Sequence, residues 1–388
     1  MGPRTRLIAG ATRRRPGPNR PVNPPVERAT TLLMPEAATM RDPSRSPLYG
    51  ISGTATHDAL REALCELEGA SYVALAPSGL AALTLAILSV VRAGDEVLAV
   101  DCLYGPTRRF LDRFLKRLDV TVRYFHPRAS PADALASADE RLRLVILESP
   151  GSHTFEIQDV AAFADLARQR GAEVMVDDSW AAGLLFRPLE HGATLSVQAL
   201  TKYAAGASDV FMGSVATADA EAARRLEHAA DDLGTFVSPD DAYLVLRGLR
   251  TLPLRLQAHA ASALTVAEFL SSRPEVRRVF YPALPASPDH ALWRRDFSGA
   301  NGLMGLELEP GSDAEVHALL DRMQLFGLGF SWGGYESLIT HETIQLADRR
   351  TPHDVQGPLI RLHVGLEDVE DLIADLARSL DRYPSKRV

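Results

Sequence analysis

Amphipathic segments alternate with short apolar runs from about residue 58 onward. The segments at 57–69 and 106–119 have the three-to-four-residue apolar spacing of surface helices, and Gly69 ends the first of them. The short runs between such segments are almost continuously apolar, which is typical of strands buried on both faces. They stand at 71–76, 95–101, 120–125, 141–149 and 172–179. The pattern predicts an α/β fold with a mostly parallel sheet covered by helices.

The pattern changes past about residue 250. A long helix is predicted at 252–272, and two separated strand patterns follow at 302–309 and 359–365, which together indicate a smaller α+β domain. The first 25 residues contain six arginines, six prolines and no acidic residue, so we expect an extended arm there. We therefore predict three units: an N-terminal arm at 1–53, a large domain at 54–248 and a small C-terminal domain at 249–388.

Composition narrows the range of roles. The 388 residues carry a net charge of −8 and no apolar run of membrane-spanning length, so we expect no nucleic-acid or membrane partner. The two cysteines, Cys65 and Cys102, are too few for a disulfide framework or a metal cluster and suit a reducing, cytoplasmic setting. The eleven histidines show no metal-ligand spacing. We interpret His57, His153 and His363 as surface or packing residues.

Three chemically distinctive residues follow separate predicted strands. Tyr104 comes after the strand at 95–101, Asp177 ends another, and Lys202 follows the apolar run at 196–200. Ligands of parallel sheets bind outside the carboxyl ends of the strands, so these three side chains are predicted to meet. A lysine partly removed from water has a lowered pKa and can form a Schiff base. Pyridoxal phosphate (PLP) needs such a lysine and a carboxylate beside its pyridine nitrogen.

The segment APSGLAA supplies a candidate phosphate cradle. Ser78, Gly79 and Leu80 stand at the start of the mostly apolar helix predicted at 80–94, where free backbone N–H groups and the helix dipole favour an anion. Thr201 adds a hydroxyl beside Lys202. Each feature alone has an ordinary explanation as a cap, a turn, a packed ring or a solvated lysine. Their order and placement together favour a PLP site.

Several segments read as blocks of one enzyme family, in that family's order. They include LESPGS at 147–152, DDSWAAG at 177–183, TKYAAGASD at 201–209, FSWGGYESLI at 330–339 and IRLHVGLEDVEDLIADL at 360–376. From about residue 49 to residue 380 the chain resembles the Cys/Met-metabolism enzymes that use PLP, a branch of the aspartate-aminotransferase-like fold (PLP-dependent transferase fold type I). Within that family it looks most like the bacterial cystathionine β-lyases. The resemblance implies a mostly parallel central sheet, a smaller C-terminal domain and PLP as cofactor.

Carried over position by position, the resemblance implies a role for each candidate. Lys202 and Tyr104 are the expected catalytic residues: Lys202 carries the cofactor and later acts as the base, and Tyr104 stacks on the ring. Asp177 is expected to pair with the pyridine nitrogen. The remaining roles are phosphate binding for Gly79, Leu80 and Thr201, α-carboxylate binding for Arg361, and substrate contact for Ser331 and Trp332. Tyr49 is expected to reach the phosphate in a neighbouring subunit, which implies a homodimer as the active unit and a homotetramer of paired dimers.

The chain departs from the family's usual pattern at five positions. Isoleucine replaces an arginine that binds phosphate across the dimer, and four further residues differ in type: Ile51, Ala55, Asp178, Ala207 and Phe330. Losing one charge-assisted phosphate bond would cost about 1.5–3 kcal/mol of cofactor binding. Arg41 or Arg45 could substitute for the missing arginine.

The implied reaction is β-elimination from an S-substituted L-cysteine, such as cystathionine, to a thiol, pyruvate and ammonia. Two alternatives remain open. One is γ-elimination or γ-replacement on homocysteine-type substrates, which uses the same core residues. The other is a non-catalytic family member that serves as a binding or scaffold protein, which Ile51 and Ala207 favour but Lys202, Asp177 and Arg361 oppose.

Overall fold

The computed structural model describes residues 21–41 and 48–384, together with Thr5, Leu7 and Ile8. Two β-sheets organise this part of the chain, one of seven strands and one of five. No helix in the described residues is long and apolar enough to cross a membrane. The mostly parallel α/β architecture and the second, smaller sheet predicted from the sequence are therefore confirmed.

The seven-stranded sheet lies in the first part of the chain. Its strands are β1 (Tyr72–Ala76), β2 (Glu96–Val100), β3 (Thr121–Phe125), β4 (Leu142–Glu148), β5 (Glu173–Asp177), β6 (Leu195–Gln198) and β7 (Gly213–Thr217). Their order across the sheet is β1-β7-β6-β5-β4-β2-β3. β7 runs antiparallel to both β1 and β6, whereas the other neighbouring pairs are parallel. Every residue of β2 is buried, as expected for a strand covered by helices on both faces.

Helices cover this sheet and link its strands. They are α1 (Ala55–Glu68), α2 (Gly79–Leu88), α3 (Gly105–Phe110), α4 (Pro131–Ala136), α5 (Val160–Gln169), α6 (Ala220–Asp232) and α7 (Pro239–Leu249). Helix α1 begins with a capping box in which Thr54 and His57 bond reciprocally to each other's backbone, and it ends at Gly69, whose φ of 70° is left-handed. His57 is therefore a buried cap rather than a surface residue.

The five-stranded sheet lies in the last part of the chain. Its strands are β8 (Val276–Phe280), β9 (Leu303–Leu308), β10 (Gly327–Leu328), β11 (Leu338–His341) and β12 (Leu359–His363), in the order β10-β11-β12-β9-β8. The pairs β11–β12, β12–β9 and β9–β8 are antiparallel. The accompanying helices are α8 (Leu252–Ser271), α9 (His290–Asp296), α10 (Asp313–Leu320), α11 (Thr343–Leu346) and α12 (Val369–Leu380). The domain boundary predicted at 248/249 falls beside the short link between α7 and α8 and stays a prediction.

The structure corrects three sequence expectations in the large sheet. Helix α2 ends at Leu88 instead of continuing to 94, because the chain turns before Gly94, which has a φ of 90°. The helix predicted at 106–119 changes after Phe110 into one π-helical turn at Leu111–Leu115. Strand β7 was not predicted, because its sequence GSVAT is short and rich in small residues.

Candidate active site

One large cavity lies where the carboxyl ends of the parallel strands face the small sheet, with a volume of about 690 Å³. Nine of the ten residues predicted for the site line it. They are Gly79, Leu80, Tyr104, Asp177, Thr201, Lys202, Ser331, Trp332 and Arg361. The position follows from the topology, because β4 and β5 end at the same edge of the sheet and β6 leads into the Lys202 turn.

Lys202 stands in the turn that follows β6, and its amine is held from the small domain. Its Nζ donates a hydrogen bond to the Ser331 hydroxyl at 2.8 Å and lies 4.9 Å from the centre of the Trp332 ring. Burial, followed by the positive charge of Arg361, lowers the pKa of Lys202 to about 8, and Asp177 opposes that change. A much larger fraction of this amine is therefore unprotonated at neutral pH than for an exposed lysine, which suits a nucleophile and a base.

The loop that carries Ser331 approaches Lys202 closely because two glycines allow it. Ser331 has a φ of 82°, and Gly333 has a φ of 87°. A β-carbon on Gly333 would lie 2.7 Å from the backbone nitrogen of Tyr203, and one on Gly334 would lie 2.1 Å from the Ser208 hydroxyl. The glycines of the FSWGG segment thus bring the hydroxyl of Ser331 into reach of the lysine.

Asp177 and Glu148 are register partners at the ends of β5 and β4. One oxygen of Asp177 accepts hydrogen bonds from the backbone nitrogen of Ser179 at 3.0 Å and from its hydroxyl at 2.6 Å. Burial raises the pKa of both carboxyl groups, and the negative charge of Asp177 raises that of Glu148 further. Neither carboxyl has an ion-pair partner among the described residues, so this corner of the cavity favours a cation.

Tyr104 occupies the N-cap position of α3 without a side-chain capping bond; the residue is 43% exposed and lines the cavity. Its backbone N–H donates to Glu148 Oε2 at 2.6 Å, which ties the turn to the end of β4. Burial raises the pKa of the Tyr104 hydroxyl, with Glu148 and Asp177 acting in the same direction. The phenol is therefore neutral at physiological pH, and its ring is available to stack on a ligand.

The start of α2 has the geometry of an anion site. Ser78 caps the helix by accepting the N–H of Ala81 at 3.1 Å. The N–H groups of Gly79 and Leu80 have no acceptor in the described part of the chain, and both residues line the cavity. A β-carbon on Gly79 would lie 2.5 Å from that of Ala199, so only glycine fits where the helix meets the turn after β6. The Thr201 hydroxyl already exchanges hydrogen bonds with the backbone of Met212.

Arg361 reaches the cavity from β12. Its side chain is 13% exposed and lies 3.4 Å from a carboxylate oxygen of Glu342, itself 2% exposed. Burial lowers the pKa of Arg361, whereas the charge of Glu342 raises it. The planar guanidinium keeps further donors that can hold a carboxylate in two parallel hydrogen bonds.

Tyr49 is the one predicted site residue that does not line this cavity. It is 55% exposed, and its neighbour Ile51 is 43% exposed on the same stretch of surface. Its expected contact with a second subunit stays a prediction. Arg45 lies outside the described residues, and so does the side chain of Arg41.

Sequence reasoning missed four residues that the structure brings to the site or beside it. Glu148 and His153 line the cavity, Ser179 bridges the Asp177 carboxylate and the N–H of Ala199, and Glu342 contacts Arg361. Glu148 and Ser179 stand at strand ends, so their position could have been noticed. His153 was interpreted as a surface or packing residue; its side chain is only 11% exposed, and the residue also lines the cavity, which the sequence did not indicate.

The geometry agrees with what comparisons with known proteins show. A model of the Cys/Met metabolism PLP-dependent enzyme family matches residues 4–381. The chain belongs to this family. The alternative of a non-catalytic binding protein loses its support, because the chain is an enzyme of the family type and PLP is its cofactor.

Individual family members are similar along almost the whole chain. A provisionally named cystathionine β-lyase of Rhizobium johnstonii is 48% identical, with 92% of this chain and 90% of that one covered. The cystathionine β-lyase of Bordetella avium is 43% identical, with coverages of 93% and 92%. The crystal structure of a cystathionine γ-synthase from Xanthomonas oryzae pv. oryzae, in complex with aminoacrylate and cysteine, superposes with a TM-score of 0.91 at 33% identity, covering 98% of each chain.

The residues of the cavity fit PLP. The two buried acids without a cationic partner would receive the protonated pyridine nitrogen, and the bare first turn of α2 would receive the phosphate. The amine of Lys202 lies in the same cavity. PLP thus has a protonated pyridine nitrogen that suits the two buried acids and a phosphate that suits the start of α2.

Proposed function

We propose that this enzyme is a carbon–sulfur lyase that cleaves an S-substituted L-cysteine, cystathionine or a related conjugate. With one water molecule the substrate would give a thiol, pyruvate and ammonia. The observation that carries the proposal is the pairing of a lysine of lowered pKa with a buried arginine in one cavity, in a chain that is 43–48% identical to relatives named as cystathionine β-lyases.

PLP, when bound, joins amines through its aldehyde and takes up the electron pair released at the substrate Cα. Lys202 would carry the cofactor and, as a free amine, take the proton from Cα. The lowered pKa supports this role, because a base works best when its pKa is near the working pH. Ser331, within 2.8 Å of Nζ, would orient that amine.

Asp177 would keep the pyridine nitrogen protonated, with Ser179 fixing the carboxylate in position. Tyr104 would stack on the cofactor ring. Gly79 and Leu80 would hold the phosphate through backbone N–H groups, with Thr201 beside them.

Arg361 would bind the α-carboxylate of the substrate, and Trp332 would close the cavity over the lysine. This arrangement holds the Cα–H bond near Lys202, which is where positioning contributes to the rate. The remaining volume near Phe330 and Phe211 would receive the group on sulfur.

We further propose a cytoplasmic homodimer as the active unit, assembled into a homotetramer. The exposed apolar side chains of Tyr49 and Ile51 and the expected role of Tyr49 in a neighbouring site support an interface there. Sedimentation of the holoenzyme tests the assembly, and loss of PLP from a Tyr49→Ala variant tests the shared site.

A second candidate function is γ-chemistry on homocysteine-type substrates, which the close superposition with a cystathionine γ-synthase favours. The products separate the two. Cystathionine gives pyruvate and homocysteine by β-elimination, but 2-oxobutyrate and cysteine by γ-elimination. Pyruvate from the wild-type holoenzyme, absent in Lys202→Ala, supports the proposal, whereas 2-oxobutyrate as the main product contradicts it.

A further inference from the structure

Glu342 lies between Arg361 and His153 at the small-domain side of the cavity. Its Oε1 is 3.4 Å from the Arg361 guanidinium, and its Oε2 is 3.8 Å from Nδ1 of His153. Both distances exceed an ordinary charge-assisted hydrogen bond. The Thr340 hydroxyl, which donates to Oε1 at 2.7 Å, makes the short contact that holds the carboxylate.

His153 is held tightly in an unusual backbone conformation. Its φ of 70° is left-handed, which costs energy for a residue other than glycine. Its carbonyl oxygen packs so closely on β9 that a β-carbon on Gly305 would lie 2.3 Å from it. Gly305 is in turn the register partner of Arg361 on β12. The loop therefore places the His153 backbone against the strand pair that carries Arg361.

The Nδ1 atom of His153 is buried and has no hydrogen-bond partner in the described residues. Burial and two nearby arginines, Arg361 and Arg349, lower the pKa of His153 to about 3, so the ring is neutral and can donate from one nitrogen. An unpaired buried ring nitrogen is costly, and Glu342 is the carboxylate within reach of it.

A second buried glutamate–arginine pair in the same chain, Glu156 with Arg349, is similar to Glu342 with Arg361 but is more closely paired. Glu156 accepts the Thr154 hydroxyl at 2.7 Å and pairs with Arg349 at 3.2 Å, with both charged side chains 6% exposed. Glu156 does not line the large cavity. The Glu156–Arg349 pair therefore lies away from the cavity and has a structural role, whereas Glu342 and Arg361 both line the cavity.

We propose that Glu342 is a displaceable counter-ion of Arg361: a substrate carboxylate takes its place on the guanidinium, and Glu342 moves onto Nδ1 of His153. The inference rests on the proposed role of Arg361 in binding the α-carboxylate. A second carboxylate at Arg361 would put two like charges on one buried cation, which favours moving one of them. A shift of about 1 Å brings Glu342 Oε2 within hydrogen-bond distance of His153.

This exchange makes Glu342 a resident competitor of every carboxylate that enters the site. It lowers affinity for the substrate and speeds the release of a carboxylate product such as pyruvate. His153 acts in the opposite direction, because it gives the displaced carboxylate a partner. Both are positioning residues that act through Arg361.

The test is titration of the PLP-loaded full-length enzyme with L-alanine, followed by cofactor absorbance. L-Alanine has the α-amine and α-carboxylate but no leaving group on Cβ, so its Kd can be measured whether or not the enzyme eliminates. Removing the competitor by Glu342→Gln should lower that Kd about tenfold, or ~1.4 kcal/mol. His153→Leu should raise it about threefold, or ~0.7 kcal/mol.

The double variant Glu342→Gln/His153→Leu distinguishes the proposed carboxylate exchange from a purely structural role of His153. With Glu342→Gln already present, His153→Leu should have no further effect on Kd, because no displaced charge remains to be received. Thr340→Val, which only releases the carboxylate from its hydroxyl anchor, should also lower Kd and serves if the other variants fold poorly. Glu156→Gln is the matched control, with a lower melting temperature but an unchanged Kd for L-alanine.

A Kd that rises or stays constant in Glu342→Gln and Thr340→Val overturns the inference, and so does an equal effect of His153→Leu in both backgrounds. Failure of L-alanine to bind the wild-type holoenzyme also counts against it. Failure of the proposed function looks different: normal titration with L-alanine, and no pyruvate from any cysteine conjugate.

Discussion

The two sides of the cavity differ in the elements that support them and in whether their charged groups have ion-pair partners. The cofactor side, formed by Lys202, Asp177, Glu148 and Gly79, stands on the ends of parallel strands and the start of a helix. Burial there shifts pKa values towards the uncharged forms, and no ion pair fixes the two acids within the described residues. The carboxylate side, represented by Arg361, stands on an antiparallel sheet and retains its charge through a partner carboxylate.

This difference indicates how the site divides its work. Groups that exchange protons or bind the cofactor are held where water is scarce, so that small changes of environment move their pKa. The group that binds a permanent anion needs to stay charged, and an arginine with a counter-ion does so at any physiological pH. The following predictions test that division, beginning with the largest effect.

Lys202→Ala should abolish turnover. The base and the covalent anchor are lost together, so the rate should fall by at least about a thousandfold. Pyruvate release from cystathionine measures the loss, and an unchanged melting temperature shows that the fold is intact. Turnover within tenfold of wild type would contradict the assignment.

Asp177→Asn should reduce kcat by about a hundredfold, because a neutral amide cannot stabilise the pyridinium. Glu148→Gln is its matched neighbour, one strand away in register. We expect a smaller loss there, because the raised pKa of Glu148 means that much of it is already uncharged. Equal losses in the two variants would show that the acids share the role.

Arg361→Leu should act mainly on substrate affinity. Losing a charge-assisted pair costs about 1.5–3 kcal/mol, equivalent to a roughly ten- to hundredfold fall in kcat/KM. The loss should appear largely in KM for cystathionine and hardly at all in PLP content. A fall in bound PLP as large as the fall in kcat/KM would place Arg361 on the cofactor side instead.

The rise of kcat on the acid side of the pH profile should depend on both sides of the cavity, because Arg361 affects the pKa of Lys202. With the pKa of Lys202 at about 8, the free-amine fraction grows as pH rises through 8, so kcat should increase with pH and level off above it. Arg361 lowers this pKa, so Arg361→Leu should raise it and move the limb to higher pH. An unchanged acid limb in Arg361→Leu would mean that the charge of Arg361 does not affect the pKa of Lys202.

Gly79→Ala should produce the smallest effect. The added methyl group meets Ala199 at 2.5 Å, which should cost about 1–3 kcal/mol of stability by overpacking. Thermal unfolding of the apoenzyme measures the cost, and Leu80→Ala, which leaves this contact open, is the control. Unchanged stability in Gly79→Ala would show that α2 can move away from the turn without loss.

The sequence predicted the cofactor side better than the carboxylate side, for a physical reason. Lys202, Asp177 and Tyr104 follow strands whose apolar runs are easily recognised, and parallel strands bring their carboxyl ends together by topology alone. Arg361 was placed only by resemblance to the family. Its contact with Glu342 depends on the pairing of β11 with β12, which local pattern does not specify.

His153 shows most clearly where local reasoning fails. Its burial results from a left-handed backbone and from contact with Gly305, about 150 residues along the chain. Strand β7 was not predicted for a related reason: its position between β1 and β6 is determined by long-range pairing. Tyr49 remains a prediction, because its expected partner is a second copy of the chain.

Product analysis of cystathionine, treated under the same conditions with wild-type holoenzyme and with Lys202→Ala, shows whether this enzyme is a β-lyase that depends on Lys202. The wild type should give pyruvate, homocysteine and ammonia in equal amounts, and the variant should give none of them. Cysteine with 2-oxobutyrate from the wild type, or undiminished pyruvate from Lys202→Ala, would contradict it.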